Sequence, residues 1–463
     1  MEKIMAFFMA LFMFYPSFIL SFFPCNIDSD LTVIEGESLC VNGEEVNFEK
    51  TQTASEVMYS FGGKKTDMFN YFGIKYDSDA YVKGVITYSG KDGEISEEFF
   101  LEPAEDGEFY SLIDGFLDKT KMNKLYSFSF TPLNKDEFTF SLNAVGLFNR
   151  EIPDDEIYIE NDEHKLGITL SWGGALSYLE DKDSSVEAVI VDGVTKVDSD
   201  ASSRYNARAR SKKVNLINAC DTGRLVQQSY YGTGDCEQYT GGVFMDTKWN
   251  YNPVQGGNQF NDAAKTVDVR ITDESIYIKC RPLDWAKPKE DIAPCYMEAT
   301  YTLEKGLVKA QCRFVDFSGY PEATTTQECP AFYCIEPFNR FVYYGGEAPW
   351  TGDSALSYEN ELIFWPDAGY PNFYATENWA AFIGDFDDSF GIGLYVDKDI
   401  PFLSGVLARG ECKTADPATE SPTSYIAAVD SYTFRSFSPT DYEFWLSTGT
   451  ADEIRNNFST LVK

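Results

Sequence analysis

The chain has 463 residues, with 74 acidic side chains against 38 basic ones, a formal net charge of -36, an aromatic fraction of 16% and a single histidine. That charge repels a phosphate backbone, because nucleic-acid binding depends on Lys and Arg displacing condensed counterions, so nucleic acid is excluded as a partner. One imidazole, His164, cannot build a two-His zinc site or a mechanism with one histidine as acid and another as base, which leaves carboxylates, phenols and thiols as acid-base groups.

Ile4 to Phe23 is an almost continuous apolar run behind a short head containing Lys3, the pattern of a secretory signal peptide over residues 1–24. It is also long enough to span a bilayer as an uncleaved anchor, the one route by which the sequence predicts membrane contact. Either way the protein is expected to be secreted or extracellular. Ten cysteines agree with export, and Cys25 with Cys40, Cys220 with Cys236, and Cys280 with Cys295 are spaced as local disulfide couples. No CxxC occurs and His164 is remote from the thiols, so neither metal nor cofactor is expected. Asn457-Phe458-Ser459 is a glycosylation sequon.

From residue 25 to 150 short alternating segments, such as Tyr81 to Tyr88, Glu98 to Leu101 and Phe138 to Leu142, predict antiparallel strands with one buried face, hence an accessory β-sandwich. A helix-like stretch lies near Ser111 to Lys124. The acidic strip from Ile152 to Glu163 carries little that suits a core and reads as a domain junction. Strand patterns resume in Lys165 to Leu170, Val186 to Val191, Ser275 to Cys280, Tyr296 to Leu303, Val308 to Phe314, Leu362 to Trp365 and Trp379 to Phe382. Only Ala451 to Val462 has a helical period, with Thr450, Asp452 and Glu453 suited to its N-terminus. The fold class is therefore all-β, with a second domain over 160–463 built from large sheets packed face to face.

Between Asn215 and Gly257 amides, charged groups and aromatics crowd together. The run Asn215 to Tyr231 holds Asp221, Arg224, Gln227, Gln228 and Tyr230, and the run Lys248 to Gly257 holds Trp249, Asn250 and Gln255. Amides and Arg can satisfy vicinal hydroxyls, while Trp and Tyr faces stack on the C–H surface of a sugar. The combination predicts a groove for an oligo- or polysaccharide; the competing reading is a long polar loop with an internal Asp221–Arg224 ion pair. Trp285 and Trp379 are further stacking candidates.

Trp172-Gly173-Gly174-Ala175-Leu176-Ser177-Tyr178-Leu179 resembles the early strand and Gly-Gly turn of galactose-mutarotase-like domains. Glu377 to Phe382 leading into Phe390 to Tyr395 is similar to a late hairpin of the same fold. The resemblance covers about residues 160–400 and implies a β-super-sandwich, an architecture shared by sugar epimerases, glycoside hydrolases and polysaccharide lyase domains. Mutarotases of this fold use histidines beside a glutamate. This chain has none in the corresponding region, so the expectation is against epimerase chemistry.

Two glutamates stand out. Alternation puts Glu298 opposite Met297, and Glu328 precedes Pro330 and an aromatic run that would desolvate it, the arrangement of a protonated carboxyl and an ionised one in glycoside hydrolysis. A lyase would instead use Tyr230 as base, with Arg224, Asn250 and Gln255 neutralising a uronate; the basic cluster Arg204, Arg208, Arg210, Lys212 and Lys213 would guide such a polyanion or form a solvated loop. The expectation is an exported glycoside hydrolase-like or polysaccharide lyase-like protein. The alternative is a non-catalytic glycan-binding or structural surface protein.

Overall fold

The computed structural model describes residues 70–113, 124–182, 215–353, 355–362, 372–407 and 423–462 with short gaps, and short strands within 40–65, 187–198 and 210–211. The apolar run at Ile4 to Phe23, Cys25, Cys412, most of the basic cluster before residue 214, most of the stretch near Ser111 to Lys124 and all of the Leu362 to Trp365 strand but its first residue lie outside the described residues. Among the described residues no helix is long and apolar enough to cross a membrane. The chain divides into two compact units, Met1–Ile152 and Pro153–Lys463.

The first unit pairs two four-stranded antiparallel sheets. One runs in the order Gln52–Ala54, Phe138–Phe148, Tyr71–Ser78, Ala104–Leu112; the other runs Val57–Lys65, Lys124–Pro132, Val82–Gly90, Gly93–Leu101. Alternation delivers Phe72, Phe99, Phe128, Phe130 and Phe140 to one side of their strands, where all are buried. Their rings meet edge-on or stacked, Phe72 with Phe99 at 5.3 Å and Phe130 with Phe140 at 4.2 Å.

The second unit is dominated by two large sheets. A ten-stranded sheet runs Glu156–Glu160, His164–Thr169, Leu176–Asp181, Val226–Ser229, Ala323–Ile335, Thr423–Phe434, Pro401–Leu407, Asn372–Tyr374, with Pro253–Val254 and Leu283–Asp284 branching from Val226–Ser229. The strand Glu156–Glu160 lies within the acidic strip read as a junction, and its apolar Ile157 and Ile159 account for this by entering the core. A nine-stranded sheet runs Lys265–Ile271, Ser275–Arg281, Cys295–Glu304, Leu307–Asp316, Thr440–Gly449, Gly391–Val396, Trp379–Ile383, Arg340–Tyr344, Leu356–Asn360. Leu166, Leu176, Val226, Phe332 and Ile426 from the first sheet share one core with Ile276, Ala299, Val308, Phe382 and Leu394 from the second. The fold is thus all-β, a sandwich followed by a larger two-sheet sandwich.

Gly173 and Gly174 both have positive φ, which makes the turn ahead of Leu176–Asp181. The helix Ala451–Ser459 begins in a capping box, in which Thr450 accepts from the Glu453 backbone and Glu453 from that of Thr450. Its Ile454 and Phe458 pack on Trp379 and Tyr395. The disulfide expectation is corrected: among the described residues Cys220, Cys236, Cys280, Cys295, Cys312 and Cys334 are free thiols, so the Cys220–Cys236 and Cys280–Cys295 couples are unbonded.

Candidate functional site

The candidate site forms where one strand of the ten-stranded sheet leaves its lane and returns. Ile217 bridges Cys334, and Val226 pairs with Phe332, so nine residues of this strand answer to two of its neighbour and seven are left over. Those seven, Ala219 to Leu225, fold into a tight loop. Ala219 N–H donates to the Arg224 carbonyl at 2.9 Å, Gly223 N–H donates to Asp221 Oδ1 at 2.9 Å, and Ala219 adopts φ 47°. The loop presents Asp221 and Arg224 as a pair 3.5 Å apart, with side-chain exposures of 13% and 18%. Burial raises the Asp221 carboxyl above its ordinary value against the pull of Arg224, and burial also pushes the neighbouring Cys220 thiol up to about 12.

Beside the loop lies Glu328, on the strand Ala323–Ile335. A register shift between Glu328 and Ala331 contains Pro330, which has no N–H to give to the ladder. Phe332, Cys334, Ile426 and Ala428 face the inter-sheet core, whereas Ala331, Tyr425, Ala427 and Val429 form a separate cluster on the other face, with Tyr333 packed against it. Glu328 pairs with Val429 across the ladder and therefore stands on that outer face. It accepts hydrogen bonds from the Tyr425 phenol, from Ser229 and from Tyr231. Burial raises its carboxyl above the usual value, and those hydrogen bonds offset only part of the rise. Burial and the Glu328 charge together hold the Tyr231, Tyr333 and Tyr425 phenols well above theirs. Tyr333 packs at a tilt against Tyr425, ring centres 4.6 Å apart, and lies within electrostatic reach of Glu328, Arg224 and Asp221, joining loop and strand into one cluster.

An aromatic wall continues from Tyr231. Its ring meets Trp249 at 6.4 Å, Trp249 meets Phe244 at 5.2 Å, and Phe244 meets Trp285 at 5.7 Å. Trp249 and Phe244 sit on a hairpin, Gly242–Phe244 with Thr247–Trp249, whose two-residue turn puts Met245 and Asp246 at φ 48° and 59°, the signature of a primed turn. Trp285 closes the circuit against Gly223, where a Cβ would lie 2.6 Å from the indole ring.

The other sequence-selected residues divide by exposure. Asn250 is exposed on the stretch after the hairpin. Gln227, Gln228 and Gln255 are buried, and their amides tie backbone segments together. Gln227 receives Gly256 N–H at 2.8 Å, Gln228 donates to the Glu298 carbonyl at 2.8 Å, and Gln255 donates to the Gly173 carbonyl at 3.1 Å. Tyr230 is fully enclosed, stacked on Phe314 at 4.0 Å with its hydroxyl on Gln228. Trp379 is enclosed in the helix-side core, its indole N–H on Glu377 at 2.9 Å.

Glu298 stands on the nine-stranded sheet, away from the inward-facing Met297 and Ala299, so its side chain and that of Glu328 emerge from different sheets. Lys279 lies 2.9 Å from its carboxylate and Tyr277 donates to it at 2.8 Å. Burial, the largest single influence, would raise its pKa, but Lys279, Tyr277 and Arg313 together hold it below the usual value.

Tyr231, Tyr333, Tyr425 and Phe244 were not selected from the sequence. For Tyr231 the signal was present: in adjacent Tyr230 and Tyr231 only one ring can face the core.

No protein-family model and no curated protein matches the chain. Solved structures similar to it include a galactose mutarotase-like protein from Lactobacillus casei ATCC 334, at 11% identity over 64% of this chain and 100% of that one, with a TM-score of 0.36. A galactose mutarotase related enzyme from Lactobacillus acidophilus matches at 12% identity over 64% and 97%, with a TM-score of 0.34. The GH36 alpha-galactosidase AgaB from Geobacillus stearothermophilus matches at 9% identity over 65% of this chain and 40% of that one, with a TM-score of 0.32.

Proposed function

We propose that the second unit binds a glycan on the outer face of its ten-stranded sheet, and that Glu328 is the general acid of a glycoside-cleaving site there. The observation that carries this is the surroundings of Glu328, a partly exposed carboxyl whose pKa is raised by burial and which is held by three hydroxyl donors beside an aromatic wall. A carboxyl with a raised pKa can give its proton to a glycosidic oxygen near neutral pH. Asp221, paired with Arg224, is the second carboxyl of the cluster and the candidate base for an attacking water. Trp249, Phe244 and Trp285 supply apolar ring surface for sugar C–H groups. The phenols favour acid chemistry over a lyase: with pKa values pushed up, Tyr231 and Tyr333 serve as donors and are poor proton acceptors.

A panel of neutral and acidic polysaccharides, assayed for reducing ends and for unsaturated uronate absorbance, tests the reading. Reducing-end release that disappears in Glu328→Gln supports it. Saturable binding without product would leave a glycan-binding protein, and binding unchanged in Arg224→Ala would remove the groove from this face.

A further inference from the structure

We propose a second sugar-binding subsite at Tyr158, Lys165 and Tyr178, on the face that carries Glu328, so that the ligand is a chain of several sugars and not a monosaccharide. This rests on the glycan reading of the Glu328 groove and extends it along the sheet. On the three strands Glu156–Glu160, His164–Thr169 and Leu176–Asp181, the residues Ile157, Ile159, Leu166, Ile168, Leu176 and Leu179 enter the inter-sheet core. Tyr158, Gly167 and Tyr178 pair in register between them and face outward. Tyr158 is 40% exposed, and Tyr178 and Lys165 are partly exposed.

The patch is organised in advance. Tyr158 donates to Glu156 at 3.0 Å and Tyr178 to Glu180 at 2.6 Å, which fixes both rings. The rings meet edge-to-face at 5.3 Å and crowd over Gly167, where a Cβ would lie 2.5 Å from Tyr158 and 2.9 Å from Tyr178. The Lys165 ammonium lies 4.4 Å from the centre of Tyr158 and 5.7 Å from that of Tyr178. Ring surface with a cationic donor and two carboxylates alongside matches the alternating C–H and hydroxyl surface of a sugar.

Position links the patch to the groove. Leu216 N–H donates to the Leu179 carbonyl, Ile335 N–H to the Leu216 carbonyl and Asn218 N–H to the Tyr333 carbonyl, which brings Tyr178 and Tyr333 to nearly one level on either side of the Asn215 to Asn218 segment. Two strand spacings separate their lanes, about 10 Å. A single ring does not cover that span, and a linear oligosaccharide crossing the strands does.

Calorimetric titration with ladders of a glucan, a galactan and a polyuronate, from single sugars to hexasaccharides, tests the subsite on the full chain. Affinity should rise about tenfold between the single sugar and the longest member of the ladder that binds. That gain should vanish in Tyr178→Ala and survive in Tyr178→Phe, which keeps the ring. Unchanged binding of the single sugar by Tyr178→Ala shows that the variant is folded. Affinity independent of length, or a gain that Tyr178→Ala retains, overturns the subsite and leaves the Glu328 groove standing. Binding of no member of any ladder overturns both.

Discussion

Glu328 and Glu298 are carboxylates in the middle of long strands of the same sandwich, and their neighbours send them in opposite directions. Around Glu298 the outer face of the nine-stranded sheet is a lattice of opposite charges, with Lys279 at 2.9 Å, the Arg313–Asp441 pair at 2.9 Å and Lys309–Glu443 at 3.0 Å. Around Glu328 the outer face of the ten-stranded sheet offers the phenols of Tyr231, Tyr333 and Tyr425 and the hydroxyl of Ser229. A cation at contact distance fixes a carboxylate in its charged form, where it ties strands together and has no proton to give. Hydroxyls satisfy a carboxyl without cancelling the cost of charging it, and leave a proton for transfer. The same residue type thus has its pKa lowered by neighbouring cations on one sheet and raised by burial on the other.

The widest separation between the two faces is expected in turnover. Glu328→Gln should reduce glycan cleavage by about 100-fold or more, the scale of a lost general acid, while Glu298→Gln leaves it unchanged in a reducing-end assay. Equal losses in both would erase the distinction. Gly223→Ala comes next, because its methyl displaces the Trp285 ring. It should weaken glycan binding by about tenfold or more in calorimetry, with thermal stability close to the parent's. Trp249→Ala, which removes the middle of the aromatic wall, should cost about three- to tenfold in affinity.

The smallest effect is in stability against pH, and its sign is opposite at the two glutamates. Glu328 is raised above its ordinary value of 4.5, so its contribution to stability is full at acid pH and is lost as pH rises through the folded-state value. Glu298 is lowered, so its contribution is present above 4.5 and is lost as pH falls through its folded-state value. Melting curves between about pH 2 and about pH 8 should therefore show Glu328→Gln gaining on the parent as pH rises above 4.5, and Glu298→Gln losing on it as pH rises towards 4.5. A common sign would break the comparison.

Much of this was legible one residue at a time. Alternation around Met297 put Glu298 on the opposite face correctly, because a strand's period of two needs no tertiary knowledge. It could not say that Lys279 would be the cross-strand neighbour, since that pairing is fixed by a register between separate strands. Glu328 was singled out for its desolvating neighbours in sequence, but the groups that surround it, Tyr425 and Ser229, come from strands about 100 residues away. Polar composition located the loop carrying Asp221 and Arg224. The same composition swept in Gln227, Gln228 and Gln255, whose amides brace the fold from inside, because buried and exposed amides look alike until their hydrogen-bond partners are known.

The loop from Ala219 to Leu225 leaves the sheet and re-enters the same lane, with Ile217 and Val226 still paired to one neighbour. Its length is therefore decoupled from the ladder on either side. The side chains of Asp221 and Arg224 can be exchanged without shifting the register of any core strand, while Thr222 and Leu225, buried and bonded to Asn258 and Tyr333, hold the path of the loop, which makes those two positions the place to alter what the face recognises.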